Sequence, residues 1–166
     1  MHKFIRAAGC VAALAVVGIA SPAEAVTATG SLGVTIIITK TCAVGTSTPV
    51  DFGSQGLLSA NIDAAGAISV TCTTGTTYDV GLSAGAGSGA TITNRKMTGP
   101  ASATVTYQLY RDAGRTLNWG NTVTTDTLAS TGTGAAQSIP VYGRVASQTT
   151  PGPGTYNDTV TVTVTY

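Results

Sequence analysis

The chain has 166 residues, of which 43% are hydrophobic and 9% are charged, and its formal net charge is +1. Enough apolar residues are present to build a core, which excludes an intrinsically disordered chain. Beyond residue 25 there is no histidine or glutamate, and six basic side chains balance six acidic ones. This composition excludes an imidazole base, a metal centre with His or Glu ligands, and electrostatic recognition of nucleic acid. We therefore expect a protein that is not an enzyme and binds no cofactor.

The first 25 residues have the three parts of a secretory signal peptide. A cationic segment, 1–6, precedes an apolar run of 14 residues, 7–20, which is too short to span a bilayer. Ala23-Glu24-Ala25 then supplies the small residues of a cleavage site. We expect cleavage before Val26, export, and a single mature domain over 26–166 without a membrane span.

Cys42 and Cys72 are the only two cysteines that remain after cleavage. An exported protein folds in an oxidising compartment, and their spacing differs from that of a redox-active Cys-x-x-Cys pair. The sequence therefore predicts one structural disulfide between them. In the chain-entropy model, closing this loop of about 30 residues stabilises the fold by roughly 3–4 kcal/mol.

Apolar and polar residues alternate with a period of two through most of the mature chain, which contains 31 threonines. Turns rich in glycine and proline separate these runs, and no stretch keeps a helical apolar period over three turns. The sequence predicts an all-β chain that folds as one antiparallel sandwich of immunoglobulin-like type. The predicted strands cover roughly residues 26–39, 68–72, 78–82, 105–109, 139–145 and 156–166.

Both ends of the mature chain have the pattern of strands that pair with another strand. Between Thr159 and Tyr166 the C-terminal strand has neither the charge nor the proline that would protect a free edge. The N-terminal segment, 26–39, has a continuous apolar face. It could be the first strand of its own sandwich, or an extended peptide that completes a sheet in another molecule. Its own residues leave both interpretations open. The large apolar residues on that face include four in a row at alternate positions, Leu32, Val34, Ile36 and Ile38.

Other patterns of catalytic or binding sites are weak. Residues 85–90 match a G-x-G-x-x-A dinucleotide pattern, but no helix-forming segment follows them, so a loop is the better interpretation. The hydroxyl groups lack an imidazole, and the six aspartates show no spacing that favours a carboxylate pair. Tyr107, Tyr110, Trp119 and Tyr142 could form a sugar-stacking patch, although aromatic residues of a sandwich more often lie in its core.

Several blocks across the mature chain are typical of one known family. They are Thr41-Cys42, Asp51-Phe52-Gly53, Ile68-Ser69-Val70-Thr71-Cys72, the Tyr-Gln-Leu-Tyr-Arg-Asp-Ala-Gly-Arg-Thr block at 107–116, Ile139-Pro140-Val141-Tyr142-Gly143, and the terminal strand at 154–166. With these blocks the chain resembles the spore coat protein U domain family, which includes rod subunits of archaic chaperone–usher pili.

The resemblance implies an incomplete immunoglobulin-like sandwich that lacks its final strand. A periplasmic chaperone would fill the vacant groove during export, and an outer-membrane usher would exchange it for the N-terminal strand of the next subunit. The donor strand would be about 26–39, with Leu32, Val34, Ile36 and Ile38 as donor residues. The implied function is a structural subunit of a surface pilus, or fimbria, that supports adhesion and biofilm formation.

Two other functions remain open at this point. The chain could be a secreted monomeric β-sandwich that binds glycan, with its N-terminal strand in its own sheet. It could also be a coat or matrix protein that needs no chaperone partner.

Overall fold

The chain divides into two units, Met1–Ile36 and Ile37–Tyr166, and the computed structural model describes it from residue 23 onward. The predicted signal peptide lies outside the described residues, apart from its last three positions. Residues 23–41 form no helix or strand, so the strands of the described chain all belong to the second unit. Between residues 23 and 166, no helix has the length and apolar character needed to cross a membrane.

The regular secondary structure of the second unit consists of β-strands, apart from one short 3-10 turn at Pro100–Ser102. The strands are β1 (Cys42–Val44), β2 (Ile62–Cys72), β3 (Thr77–Leu82), β4 (Arg95–Thr98), β5 (Thr104–Tyr110), β6 (Leu128–Thr131), β7 (Ala136–Val145) and β8 (Val162–Thr165).

These strands form two antiparallel sheets. One has five strands in the order β1-β2-β7-β5-β4, and the other has three in the order β6-β3-β8. The longest pairing joins β2 to β7 from Ile62 opposite Val145 to Thr71 opposite Ala136. Strands of both sheets contribute to one apolar core, so the predicted all-β sandwich is confirmed.

The period-two alternation of the sequence becomes an inward and an outward face in each sheet. In β2 the side chains of Ile68, Val70 and Cys72 are buried, whereas Thr71 between them is exposed. Trp119, in the connection between β5 and β6, is fully buried and donates its indole N–H to the Val80 carbonyl oxygen at 2.8 Å. Its polar atom is thus satisfied inside the core.

One charged side chain, that of Arg95 in β4, is also fully buried. Its guanidinium donates to the backbone carbonyl oxygens of Ser83 at 2.8 Å, Ile92 at 2.9 Å, Leu82 at 3.1 Å and Trp119 at 2.7 Å. Burial lowers the pKa of Arg95 from its ordinary value. Because Leu82 ends β3, these bonds tie the edge of the five-stranded sheet to the three-stranded sheet.

Replacing Arg95 by lysine should destabilise the fold, because one ammonium group cannot reach all the carbonyl oxygens that the planar guanidinium satisfies. We expect Arg95→Lys to lower the free energy of unfolding by at least about 2 kcal/mol. Urea unfolding followed by the fluorescence of Trp119, the only tryptophan, measures this. Lys96→Arg, at the adjacent and less buried position, is the control and should leave the midpoint unchanged. Equal midpoints for both variants would contradict the role given to Arg95.

Candidate functional site: an open groove between the sheets

Two adjoining cavities open on the inner side of the five-stranded sheet, and the first of them also reaches β3 and β8 of the other sheet. The first, of about 540 Å³, lies between residues 47–52 and the chain around 157–162. The second, of about 720 Å³, lies between residues 51–56 and 150–156. They share Asp51, Phe52 and Met97 as lining residues. We call the two cavities together the groove.

The floor of the groove is the core itself. Four residues of the five-stranded sheet line the first cavity, and each of them belongs to the buried core: Ile68, Tyr107, Leu109 and Val141. A five-stranded sheet offers more inner surface than a three-stranded sheet can cover. The groove is therefore the strip of core that a further strand would close.

One wall of the groove is β8, the edge strand of the three-stranded sheet. Ser83 N donates to Thr161 O at 3.0 Å, which fixes the alternation of backbone groups along the strand. Thr161, Thr163 and Thr165 direct their N–H and C=O groups towards β3, because alternate residues of an antiparallel strand face the same neighbour. The intervening valines, 160, 162 and 164, therefore direct their backbone groups towards the free edge. Their half-buried side chains pack against the core.

The opposite wall continues from β1, the edge strand of the five-stranded sheet. Gly45 N donates to Ser69 O at 2.8 Å, and Thr48 N donates to Ala67 O at 2.8 Å. Two residues, 46 and 47, thus stand opposite the single residue Ile68, as in a β-bulge. After the bulge the chain pairs with β2 once more, through two hydrogen bonds between Thr48 and Ala67.

Beyond the bulge, Val50 and Phe52 turn inward. The Phe52 ring meets the Tyr107 ring edge to face, with centroids 6.3 Å apart. A Cβ atom on Gly143 would lie only 2.5 Å from Val50 Cγ1, so only glycine at 143 lets this wall approach β7 so closely.

A hydrogen-bonded carboxylate marks the junction between the groove and the loop at 84–90. Asp158 Oδ2 accepts from the Tyr107 hydroxyl at 2.6 Å, and Oδ1 accepts from the backbone N–H groups of Ala86 and Thr159, both at 2.7 Å. Burial, and then the bond to this carboxylate, raise the pKa of Tyr107 above its ordinary value. The phenol therefore stays protonated and donates. Gly85 permits this approach, because its Cβ would lie 2.0 Å from Asp158 Oδ2.

The described lining residues of the groove include no basic side chain. Its carboxylates belong to Asp51 and Asp158. Asp51 Oδ1 accepts from the Gly53 N–H at 2.8 Å, and Asp158 is satisfied as described above. An apolar strip bordered by unpaired backbone groups suits an extended peptide with alternating apolar side chains.

Comparison with known proteins shows to which family this chain is related. The family model of the Spore Coat Protein U domain matches residues 28–163. The chain belongs to the spore coat protein U domain family. Protein U of Myxococcus xanthus is 35% identical to it over an alignment of 180 residues that covers the whole of both chains.

A solved structure is similar to this spore coat U domain in fold. It is a chain of the CsuC–CsuE chaperone–tip adhesion subunit pre-assembly complex from the archaic chaperone–usher Csu pili of Acinetobacter baumannii. The TM-score is 0.56 and the sequence identity is 20%, over 78% of this chain and 40% of that chain. The spore coat U domain thus spans less than half of that chain and shares its β-sandwich fold.

The residues predicted as donors are largely exposed in the spore coat U domain. The exposed fractions are 88% for Leu32, 86% for Val34, 84% for Ile36 and 76% for Ile38. Ile37, on the opposite face, is 83% exposed. Large aliphatic side chains are rarely left so open one after another in a finished protein surface.

The predicted disulfide is confirmed. Cys42 and Cys72 are bonded, and they stand directly opposite each other in the pairing of β1 with β2.

The aromatic residues and the segment 85–90, which the sequence offered as possible binding sites, have structural roles. Tyr107, Tyr110 and Trp119 are buried, and the Arg115 guanidinium lies 5.8 Å from the centre of the Tyr142 ring, so these aromatics form no open sugar-stacking patch. Residues 85–90 form a loop, with no helix start to hold a phosphate. Among residues 23–166, no group of three or more His, Cys, Asp or Glu side chains could hold a metal ion.

Sequence reasoning missed most of the groove walls. Residues 53–56 and 150–154 form no strand and have no apolar period, so nothing in their sequence indicates a wall. Val50-Asp51-Phe52 does alternate, but three residues are too few to predict a strand. The Tyr107–Asp158 bond joins positions 51 residues apart and gives no local signal.

The alternation of backbone groups in β8 predicts an alternation in amide exchange. In the unassembled chain, the amides of Val162 and Val164 should exchange at least about tenfold faster than that of Thr163, because only the latter is bonded within the sheet. Residue-resolved hydrogen exchange by NMR measures this. Equal protection at all three positions would show that the free edge is assigned wrongly.

Proposed function

We propose that this spore coat U domain is an exported structural subunit of a surface pilus, polymerised by donor-strand exchange. The N-terminal segment, 26–39, of one molecule inserts into the groove of the next. The observation that carries the proposal is the groove itself, with core residues for its floor and the unpaired edge of β8 for one wall. The exposed alternating segment supplies a ligand of matching chemistry.

Side-chain and backbone alternation agree on how the donor would bind. A strand beside β8 places inward side chains next to the inward valines at 160, 162 and 164. These valines also carry the free backbone groups, so the inward donor residues would form the hydrogen-bonded pairs with β8. A slip of one residue would turn the threonine-rich face of the donor into the core and is excluded.

The energy of such a joint comes mainly from apolar burial. Four large aliphatic side chains at about 1.5–3 kcal/mol each give roughly 6–12 kcal/mol before ordering costs. Backbone hydrogen bonds along the strand add to this. Donor and groove are different surfaces, so the contact is heterologous and builds an open chain of subunits instead of a closed ring.

An open apolar groove would explain why the subunit needs a chaperone and an usher for its assembly. A subunit with uncovered core is prone to aggregate, and it needs a temporary occupant of the groove between export and assembly. A periplasmic chaperone would fill that role, and an outer-membrane usher would exchange it for the next donor strand. The likeness to a chain of a chaperone–subunit pre-assembly complex supports this order of events. The signal peptide predicted at 1–25 supplies the export step, and adhesion and biofilm formation would follow from surface assembly.

A coat protein is the second candidate, because the family is named for a spore coat and the relative that is 35% identical is Protein U. The same strand exchange could build a surface layer. The glycan-binding monomer has less support, since three of its four candidate aromatics are buried.

Ile36→Asp should abolish polymer formation, because a carboxylate would replace an aliphatic side chain in the groove. We expect the yield of polymer to fall more than about a hundredfold, while secretion of the chaperone-bound subunit continues. Unheated gel electrophoresis of surface material and negative-stain electron microscopy measure the polymer.

Thr35→Asp is the matched control, since it puts the same charge at the adjacent position on the polar face of the segment. It should polymerise within about twofold of the native chain. Normal fibres from Ile36→Asp would refute the donor assignment, and loss of fibres from both variants would mean that the two faces are equivalent.

Immunogold electron microscopy of the cell surface separates the two candidate functions. The pilus predicts labelled filaments that disappear when a periplasmic chaperone is deleted. A continuous labelled layer that survives the deletion would favour the coat protein and contradict the pilus.

A further inference from the structure

The chain between the N-terminal segment and β1 is fastened to the end of β2. Thr73 Oγ1 accepts from the Thr41 N–H at 3.2 Å and donates to the Thr39 carbonyl oxygen at 3.2 Å. Thr73 N donates to Thr41 O at 2.9 Å, and the disulfide follows at once, between Cys42 and Cys72. We call residues 39–42 the root of the N-terminal segment.

Without the disulfide, the root would depend on a weak strand. β1 has three residues and lies at a sheet edge, and the bulge at 46 and 47 soon follows it. A pull on its first residue that is directed across the strands would break its hydrogen bonds to β2 one after another from the pulled end.

β2, by contrast, is held on both sides. It has eleven residues, pairs with β7 along ten of them, and buries Ile68 and Val70 in the core. Because Cys42 is covalently bonded to Cys72, the last residue of β2, tension on the N-terminal segment would be transmitted directly to this strand.

We propose that the Cys42–Cys72 disulfide is the anchor through which tension on the donor strand enters the subunit. This rests on the proposed function, since only a donor strand held by a neighbouring subunit would pull on the root. The disulfide keeps β1 from peeling away from β2, so that a stretched filament keeps its groove wall at 47–52 in place.

The test stretches single filaments of the full-length chain in an optical trap. Native filaments should show no extension from β1 before whole subunits unfold. Filaments of the double variant Cys42→Ala and Cys72→Ala should lengthen at lower force, because residues 42–48, with a contour length of roughly 25 Å, come free of β2 in each subunit. Thr73→Val keeps the disulfide and removes the hydroxyl, and it should behave as the native chain does.

Native filaments that are reduced and alkylated after assembly provide the same measurement if the double variant does not assemble. Mass spectrometry verifies that the disulfide is gone. Identical force–extension curves with and without the disulfide would overturn the anchor while leaving the polymer intact. Early lengthening of Thr73→Val would overturn it as well, since the hydrogen bonds would then hold the root. A native chain that forms no filaments would contradict the proposed function, and this inference with it.

Discussion

Five strands facing three leave the edge of the core along β8 only half-buried, and most other features of the structure follow from this mismatch. The inner side of β8 carries valines that are only half-buried, although they pack against fully buried residues of β3 such as Val80. Nothing in the described sandwich supplies the missing neighbour of β8 at its free edge. In the proposed function, an incoming strand would complete the apolar burial, and stability would then be coupled to binding.

The groove is preformed because polar contacts outside it hold its borders. Asp112 accepts from the backbone N–H groups of Leu117 at 2.8 Å and Thr116 at 3.0 Å, and these bonds, that of Leu117 first, lower the pKa of Asp112. Arg115 lies in the turn that these bonds hold, and it donates to the carbonyl oxygen of Gly143 at 3.1 Å. Gly143 is the residue of β7 against which Val50 and Phe52 of the groove wall pack. A binding site whose walls are already fixed loses less entropy on binding a strand.

The sequence indicated the regular parts of this architecture and left out those that depend on distant contacts. The alternation around Ile68 and Val162 and the pairing of Cys42 with Cys72 were predictable, because period-two patterns and oxidising export act locally. β4 and β6 read Arg-Lys-Met-Thr and Leu-Ala-Ser-Thr, and neither sequence alternates between apolar and polar residues. Arg95 would be expected on the surface by its charge, and only the folded chain brings four carbonyl oxygens around it. The segment 26–39 was predicted as a strand, yet it forms none here, since a strand exists only with a partner for its backbone groups.

The separation of the proposed donor segment from the proposed acceptor edge within one chain would determine what such a molecule can build. The root of the N-terminal segment is fastened to β2 in the five-stranded sheet, whereas the open edge belongs to β8 in the three-stranded sheet. A strand received at β8 completes the second sheet without disturbing the pairing that holds the root. Each subunit could then accept one strand and donate another at once, which is the condition for unlimited linear growth. Because the donor in this scheme fills a core position, every joint would have the slow dissociation of a folded interior and not that of a surface contact.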